Sequence, residues 1–259
     1  MASPLHTPKT KNQYFDPDEQ VLYENFSLEW GEGLHARATF EFLIEARNFS
    51  KGGTILDAGA GYKRFEPFFR EAKYLTLEHP SGIEMKRMQG ITYDFVSELD
   101  GDNFAPNEES INAIYCHSVL EHIERPEKFF SNAIRVLMPG GRLFIHCPFM
   151  YHEHETPYDF NRFTRYGLKS RLEEAGFRII QLLPSSNGIY GATAFIQDAM
   201  RTDGLARGFQ VGNFTLPDGK IVALPPLLTS IVNALNALFD DAIYDNNSPI
   251  GWLCIAEKT

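Results

Sequence analysis

Apolar and polar residues alternate along this chain in blocks that predict strands and helices in turn. A short apolar run at residues 54–58 is typical of a buried strand. Six further runs of this kind predict six more strands, at residues 73–77, 91–96, 111–116, 143–147, 177–182 and 252–256. Apolar residues at helical spacing separate several of these runs. The pattern therefore predicts an α/β fold, a seven-stranded and mostly parallel sheet with helices on both faces.

The segments outside the strands set the expected division of the chain. Residues 1–18 are polar and contain prolines, which indicates a flexible arm. Apolar positions between residues 19 and 49 predict a helical cover over the mouth of the core or, equally, a simple packing helix. Residues 184–250 are too many for a structureless loop, and 190–201 and 225–244 have helical periodicity. We expect one domain over 19–259. Its helical cover is expected at 19–49 and its core at 50–183. The inserted helical cap is expected at 184–250 and the final strand at 251–259.

The residues at the end of the first strand are those of a nucleotide-type site. Asp57 precedes Gly59 and Gly61, and glycine lets a backbone approach a ligand closely. A strand, a Gly-rich turn and a helix, with an acid about 20 residues further on, form a dinucleotide-type unit. Glu78 follows Asp57 by 78 − 57 = 21 positions, and its carboxylate can accept both hydroxyls of a ribose. An ordinary tight turn would explain the glycines but not the paired acids.

This stretch resembles motif I of the class I S-adenosylmethionine (SAM) dependent methyltransferases, the D/E-x-G-x-G signature. The runs at 120–122 (Leu-Glu-His) and 135–141 (Arg-Val-Leu-Met-Pro-Gly-Gly) resemble two more signatures, those of the type-11-like methyltransferases. Gly140 in the second run is expected to end a helix. The sequence departs from the family at Lys63, where a third glycine is frequent. Arg64 stands where a nicotinamide fingerprint has glycine, which disfavours an NAD-type oxidoreductase.

The resemblance implies a Rossmann-like fold with SAM as cofactor and S-adenosylhomocysteine as its product. Glu98, with the backbone of Leu99, aligns best with the family's acidic motif near the adenine, and Asp94 and Asp100 are alternatives. His117 is expected beside the cofactor at the end of the fourth strand. The full set implied to bind the cofactor is Asp57, Gly59, Ala60, Gly61, Glu78, His79, Glu98, Leu99 and His117.

A polar segment after the fifth strand, residues 151–162, carries the candidate catalytic chemistry. Loops at the carboxyl ends of parallel strands line the ligand crevice. The segment resembles the HE-x-P-x-D-x-x-R-F-T run of bacterial methyltransferases associated with sugar or glycan modification. Histidine is the usual base for a hydroxyl nucleophile, and the candidates in order are His154, His152 and His122. Contacts to the substrate are expected from Tyr151, Glu155, Tyr158, Asp159 and Arg162.

Two other interpretations of this segment remain open. It could be a polar loop that faces solvent, in which Arg162 pairs with Asp159. Its imidazoles and carboxylates could instead bind a divalent ion. The spacing matches no strong metal-binding template and Pro157 interrupts the run, so we predict no metal.

The acidic composition narrows the choice of acceptor. The chain of 259 residues has a net charge of −10, which disfavours binding to nucleic acid, and it has no Lys/Arg cluster for a protein or nucleic-acid substrate. Three widely spaced cysteines are expected to be reduced, as in a cytoplasmic protein. The sequence has no apolar stretch long enough for insertion into a membrane.

The predicted function is therefore transfer of a methyl group to a small-molecule acceptor. The acceptor would be a hydroxyl of a sugar or glycan intermediate or of a secondary metabolite, and a histidine would assist an in-line displacement. The alternative is a catalytically silent SAM-binding module with a regulatory or assembly role. The helical cap is also a candidate homodimer face.

Overall fold

The computed structural model describes residues 4–6, 15–30, 33–196, 213–215, 221–239, 243–244 and 248–259. Its strands in chain order are β1 (Pro4–His6), β2 (Thr54–Ala58), β3 (Lys73–Glu78), β4 (Phe95–Val96), β5 (Ile111–His117), β6 (Leu137–Pro148), β7 (Phe177–Pro184), β8 (Asn213–Thr215), β9 (Ile221–Ala223), β10 (Ile243–Tyr244) and β11 (Gly251–Lys258). Seven of them form the central sheet, in the order β4-β3-β2-β5-β6-β11-β7. Strand β11 is antiparallel to both neighbours and the other pairs are parallel. The predicted seven-stranded, mostly parallel sheet is confirmed.

Helices lie on both faces of this sheet. They are α1 (Pro17–Trp30), α2 (Leu34–Ser50), α3 (Ile83–Met88), α4 (Pro126–Val136), α5 (Arg165–Glu174), α6 (188–196) and α7 (Leu224–Phe239). The local sequence explains where two of these helices begin. Helix α4 begins at a proline, and at the beginning of α5 the hydroxyl of Thr164 accepts a hydrogen bond from the amide of Gly167. Helices α1 and α2 pack on one face, and α4 and α5 pack on the other.

The hydrophobic core lies on both faces of the sheet at β2. Ile55 packs with the cluster under α1 and α2, whereas its neighbour Leu56 packs with the cluster under α4 and α5, and neither is exposed. Successive side chains of a strand point to opposite faces. A strand that is covered on both faces must therefore be apolar at consecutive positions, which is why the first strand was visible in the sequence as a continuous run.

The chain order places a crevice at one end of the sheet. From β2 the chain adds β3 and β4 on one side, and then returns to add β5 on the other side of β2. In open α/β sheets, ligands bind outside the carboxyl ends of the strands at such a reversal. The turns that follow β2 and β5 therefore face each other across the expected cofactor site.

Several element boundaries differ from the sequence-based expectation. The predicted helical cover is two helices, because Gly33 is extended and glycine is costly inside a helix. The strand predicted at 91–96 is reduced to β4. The amide of Thr76 donates its hydrogen bond to the side chain of Asp94, so the two backbones do not pair at this point. Helix α4 ends at Val136, four residues before Gly140, because the next residue is already extended and pairs in the sheet.

The predicted flexible arm contains ordered elements. Strand β1 pairs antiparallel with β10, and helix α1 begins at Pro17, inside the range assigned to the arm. The rest of the arm up to residue 14 lies outside the described residues, so its flexibility stays a prediction.

The insertion before β11 contains strands as well as the predicted helices. Helix α6 begins at residue 188, and residues 197–201 of the helix expected there lie outside the described part of the chain. Helix α7 ends at Phe239, short of the expected boundary at residue 244. Strands β8 and β9 form a small antiparallel pair. A hydrogen bond of 2.7 Å from Thr193 to Asn236 joins α6 to α7. The predicted homodimer face of this cap stays a prediction.

Candidate active site

The turn after β2 brings the backbone close to the segment after β5. Gly59 has φ +83° and Gly61 has φ +52°, a region that glycine occupies at little steric cost. A Cβ added at Gly59 would lie 2.5 Å from Cγ2 of Val119, so this close approach requires glycine. The hydroxyl of Tyr93 donates to the carbonyl of Gly61 at 2.6 Å, a contact that the sequence did not indicate. Ala60, between the two glycines, is buried.

The carboxylate of Glu78 lies at the end of β3 and faces the same turn. It accepts hydrogen bonds from the amide of Gly61 at 2.7 Å, from the amide of His79 at 3.0 Å and from Nζ of Lys86 at 3.1 Å. Its two acceptor oxygens beside a Gly-rich turn fit the paired hydroxyls of a ribose. The side chain of His79 is exposed and accepts the amide of Ser81, so it caps the following turn.

Asp57 is buried beneath the turn. Its Oδ2 accepts the hydroxyl of Tyr74 at 2.5 Å, and burial raises the pKa of Asp57 to about 7 against the opposing effect of that hydrogen bond. This hydrogen bond therefore ties β2 to β3 just before the glycine turn.

The three carboxylates considered for the adenine contact are in different environments. Asp94 accepts both the amide and the hydroxyl of Thr76, and Asp100 pairs with Arg125 at 3.1 Å. Both are thus engaged in holding loops together. Glu98 is exposed, and Leu99 beside it is buried. The assignment of Glu98 and Leu99 to the adenine stays a prediction.

A stack of buried histidines lies at the ends of β5 and β6. His117, which ends β5, stacks on His146 with ring centroids 4.3 Å apart, and His35 from α2 approaches His146 at 5.2 Å. Burial lowers the pKa of His117 to about 3 and that of His35 to about 4, so both are neutral at pH 7. Trp30 and Phe65 place their rings against His117. Sequence reasoning missed His35 and His146. A polar residue in the middle of the apolar run 143–147 was the available signal for His146.

The segment that carries the other candidate histidines is docked on the turn that follows β5. The amides of Phe160 and Asn161 donate to the carbonyl of Glu121 at 2.8 and 3.2 Å, and the side chain of Asn161 donates to the carbonyl of Ile123 at 2.7 Å. The rings of His122 and His154 lie 4.7 Å apart as a result. The fold thus brings together two segments that are about 30 residues apart in the sequence.

Glu121 lies between these two rings, and sequence reasoning assigned it no role. Its Oε1 is 3.8 Å from Nε2 of His122 and 3.8 Å from Nε2 of His154. The side chain is only 1 % exposed, and burial raises the pKa of Glu121 to about 8. Its position in the Leu-Glu-His signature was the signal that could have singled it out.

Arg162 and Asp159 form a pair within the same segment. The guanidinium donates to both carboxylate oxygens at 2.5 and 2.7 Å and to the carbonyl of His152 at 2.8 Å. Although burial opposes it, the hydrogen bond from Arg162 lowers the pKa of Asp159 to about 2. This is the pairing that stood as the alternative to a substrate contact, and the contact of Arg162 with substrate stays a prediction.

The remaining candidates line the open side of the segment. Tyr151 is 42 % exposed and Tyr158 is 59 % exposed. Glu155 is also exposed and has φ +52°, in the left-handed region. His152 has its ring 5.8 Å from that of His154. The exposed ring of Tyr151 lies 5.2 Å from the ring of His154 and thus adjoins the histidine pair.

The seven-stranded sheet, parallel except at β11, has the architecture of the Rossmann-like methyltransferases. A profile of the family described as "Methyltransferase domain" matches residues 33–182, which is more than half of the chain. The chain belongs to this methyltransferase domain family. The class I SAM-dependent methyltransferase predicted from the sequence, and SAM as its cofactor, are therefore confirmed.

Several curated relatives are similar to parts of the chain. A ubiquinone biosynthesis O-methyltransferase of Vibrio cholerae is 25 % identical over 153 residues, which cover 53 % of this chain and 62 % of that protein. An arsenite methyltransferase of Halobacterium salinarum is 27 % identical over 168 residues, which cover 57 % and 42 %. The chain thus spans less than two thirds of the length of these relatives.

Solved structures share the fold. A SAM-dependent methyltransferase from Mesorhizobium loti has a TM-score of 0.51 at 14 % identity, with 87 % of this chain and 100 % of that chain covered. A SAM-dependent methyltransferase from Thermotoga maritima has a TM-score of 0.50 at 15 % identity, with 93 % and 98 % covered. In the part of the chain that the structure describes, no helix has the length and apolar character required to cross a membrane.

Proposed function

We propose that this protein is an active SAM-dependent O-methyltransferase whose acceptor is a small molecule. The acceptor hydroxyl would belong to a sugar or glycan intermediate or to a secondary metabolite. The observation that carries the proposal is the docking of the segment 151–162 on the turn Leu120–His122. That turn follows β5, and its neighbour Val119 touches the glycine turn of the cofactor site. The candidate base and the expected cofactor therefore share one end of the sheet.

In this proposal, one group of residues would bind the cofactor and another would take the proton of the acceptor hydroxyl. The glycine turn and Glu78 hold the cofactor, which supplies an activated methyl group that leaves its sulfonium sulfur with the bonding electrons remaining on sulfur. Nδ1 of His154 lies 3.3 Å from Oδ2 of Asp159 and 3.3 Å from the carbonyl of His152. Both neighbours are acceptors, so the ring hydrogen is on Nδ1 and Nε2 is free to take the proton of an acceptor hydroxyl.

The relatives and the surface support a small acceptor. Several curated relatives are named for O-methylation in ubiquinone biosynthesis, and one is named for arsenite, which is also a small molecule. The exposed rings of Tyr151 and Tyr158 could stack on a sugar or an aromatic ring. The net charge of −10 disfavours an acceptor with a phosphate backbone.

The test is an acceptor screen that measures formation of S-adenosylhomocysteine. Purified protein is incubated with SAM and a panel of hydroxylated sugars, nucleotide-sugars, phenols and matched amines. We expect turnover with at least one hydroxyl acceptor, and we expect His154→Ala to lose turnover while its affinity for SAM persists. Tight SAM binding without turnover on the whole panel would favour the silent binding module. Full activity of His154→Ala would remove this residue as the base.

A further inference from the structure

Three side chains of metal-ligating type point at one another beside the cofactor crevice. They are Glu121, His122 and His154, and one ligand atom of each lies within 4.8 Å of the others. We call them the Glu–His–His cluster. The two distances of 3.8 Å from the Nε2 atoms to Oε1 are too long for hydrogen bonds. The cluster is therefore brought together by the fold without being closed by contacts of its own.

The outer nitrogen of each imidazole is already committed. Nδ1 of His122 lies 2.7 Å from the carbonyl of Tyr158, and a carbonyl can only accept. Nδ1 of His154 faces the carboxylate of Asp159 and the carbonyl of His152, which are acceptors as well. Both rings must therefore carry their hydrogen on Nδ1 and present the lone pair of Nε2 to the cluster. Metal-binding histidines have this same arrangement, with Nδ1–H held by a carboxylate or a carbonyl.

The third member supplies a carboxylate that lacks a partner. Neither Oε1 nor Oε2 of Glu121 has a hydrogen-bond partner among the described residues, although the side chain is 1 % exposed. A buried carboxyl group that makes no hydrogen bond is costly, and such groups are normally paired or bound to a metal. Oε1 lies 3.8 Å from both Nε2 lone pairs, which is too far for a hydrogen bond in either direction. A cation would satisfy all three groups at once.

We propose that the Glu–His–His cluster binds a divalent transition-metal cation. Two ligands that each lie about 2.1 Å from a tetrahedral metal are separated by about 3.4 Å, so the observed 3.8 Å requires only a small closure. Two imidazoles and one carboxylate suit zinc, iron(II), cobalt(II) or manganese(II), whereas calcium and magnesium prefer oxygen ligands. Three protein ligands leave at least one coordination position open, as in catalytic sites.

The consequence for chemistry rests on the proposed function. A cation in this position would bind the acceptor oxygen and lower the pKa of its hydroxyl, which would then lose its proton to water. His154 would in that case act as a ligand in place of a base. Cation binding itself needs neither SAM nor an acceptor, so it can be tested separately from methyl transfer.

The experiment is a cobalt(II) titration of tag-free protein that has been treated with a chelator. Visible absorption of the bound ion reports its coordination, and elemental analysis after zinc loading reports the stoichiometry. The variants are Glu121→Gln, His122→Gln and His154→Gln, each of which keeps a side chain of similar size. Glu127→Gln is the matched control for Glu121→Gln, because Glu127 is an exposed carboxylate in the first turn of α4, outside the cluster and outside the residues expected to bind the cofactor. SAM affinity and the urea midpoint of each variant report whether its fold is intact.

We expect the parent and the Glu127→Gln variant to bind one equivalent of cobalt(II) in a low-coordinate site. Each cluster variant should bind it at least tenfold and up to about 100-fold more weakly while retaining SAM binding. Failure of the folded parent protein to bind one equivalent would overturn the proposal. Unchanged affinity in the cluster variants would also overturn it, because the ion would then be bound elsewhere. Methyl transfer without cation binding would refute this inference and leave the proposed function standing.

Discussion

The close approach of the glycine turn to the segment after β5 makes a quantitative prediction. Gly59→Ala would place a Cβ 2.5 Å from a methyl group of Val119 and at φ +83°. Gly52→Ala is the matched control, because Gly52 has φ +72° but nothing within 4 Å of an added Cβ. The two variants share the backbone strain, and only the first adds the clash.

The magnitudes follow from these two contributions. A left-handed backbone costs a side-chain residue about 1–2 kcal/mol. The reduced entropy of the unfolded chain returns about 0.4–1 kcal/mol for Gly→Ala, so Gly52→Ala should lower the free energy of unfolding by about 1 kcal/mol. Overpacking adds typically about 1–3 kcal/mol. Gly59→Ala should therefore lower the free energy of unfolding by roughly 2–4 kcal/mol.

Urea unfolding followed by circular dichroism measures both values, and the slope m shows whether the denatured state has changed. Val119→Ala removes the methyl groups on which the clash depends. In a double-mutant cycle it should recover about 1–3 kcal/mol of the cost of Gly59→Ala, because the two sites are in contact. Equal costs for Gly59→Ala and Gly52→Ala, or a coupling energy near zero, would refute the reasoning. Calorimetric titration with SAM should also show weaker binding by Gly59→Ala than by Gly52→Ala.

Three further predictions follow from the site. Glu78→Ala should weaken SAM binding at least tenfold, about 1.4 kcal/mol, and an unchanged dissociation constant in calorimetry would remove the ribose assignment. Burial lowers the pKa of His35 to about 4 in the folded state, below the value of about 6.5 of a free histidine. The unfolded state therefore takes up the proton first as pH falls, and stability should drop by up to about 3 kcal/mol between pH 6.5 and 4. His35→Gln should reduce this pH dependence of urea unfolding, and part of the remainder should come from His117, whose pKa is also lowered by burial. Arg162→Ala leaves the buried carboxylate of Asp159 without its charged partner, with the amide of His154 still donating to it, which should cost roughly 3 kcal/mol of stability in the same assay. A variant of parent stability with a raised KM would instead make Arg162 a substrate ligand.

The residues predicted to bind the cofactor could be identified from the sequence because they lie close together in it. Gly59 and Gly61 are needed by the turn itself, and Glu78 follows at the spacing of a single βαβ unit. The strands were visible because two-sided burial requires continuous apolar runs. Boundaries such as that of β4 were missed, because they depend on a side chain, Asp94, that substitutes for backbone pairing.

The candidate acceptor site could not be predicted in the same way, because it depends on contacts between segments that are far apart in the sequence. Glu121 lies close to His154 only because the segment 151–162 folds back onto the turn that contains Glu121. The spacing of His122 and His154 matches no metal-binding template, since the fold and not a helix brings them together. The His35–His146 contact likewise joins a helix to a strand more than 100 residues away.

Strand β11 has a consequence for how far the insertion before it can vary. The long insertion leaves the sheet at Pro184 and returns at Gly251, and its two ends are bonded to each other, with the amide of Ser185 donating to the carbonyl of Gly251 at 2.9 Å. The excursion is thus closed at its base. Its length and composition can be altered without displacing any strand that shapes the cofactor crevice. The insertion is thus attached to the sheet at one place, so changes within it are expected to leave SAM affinity unchanged.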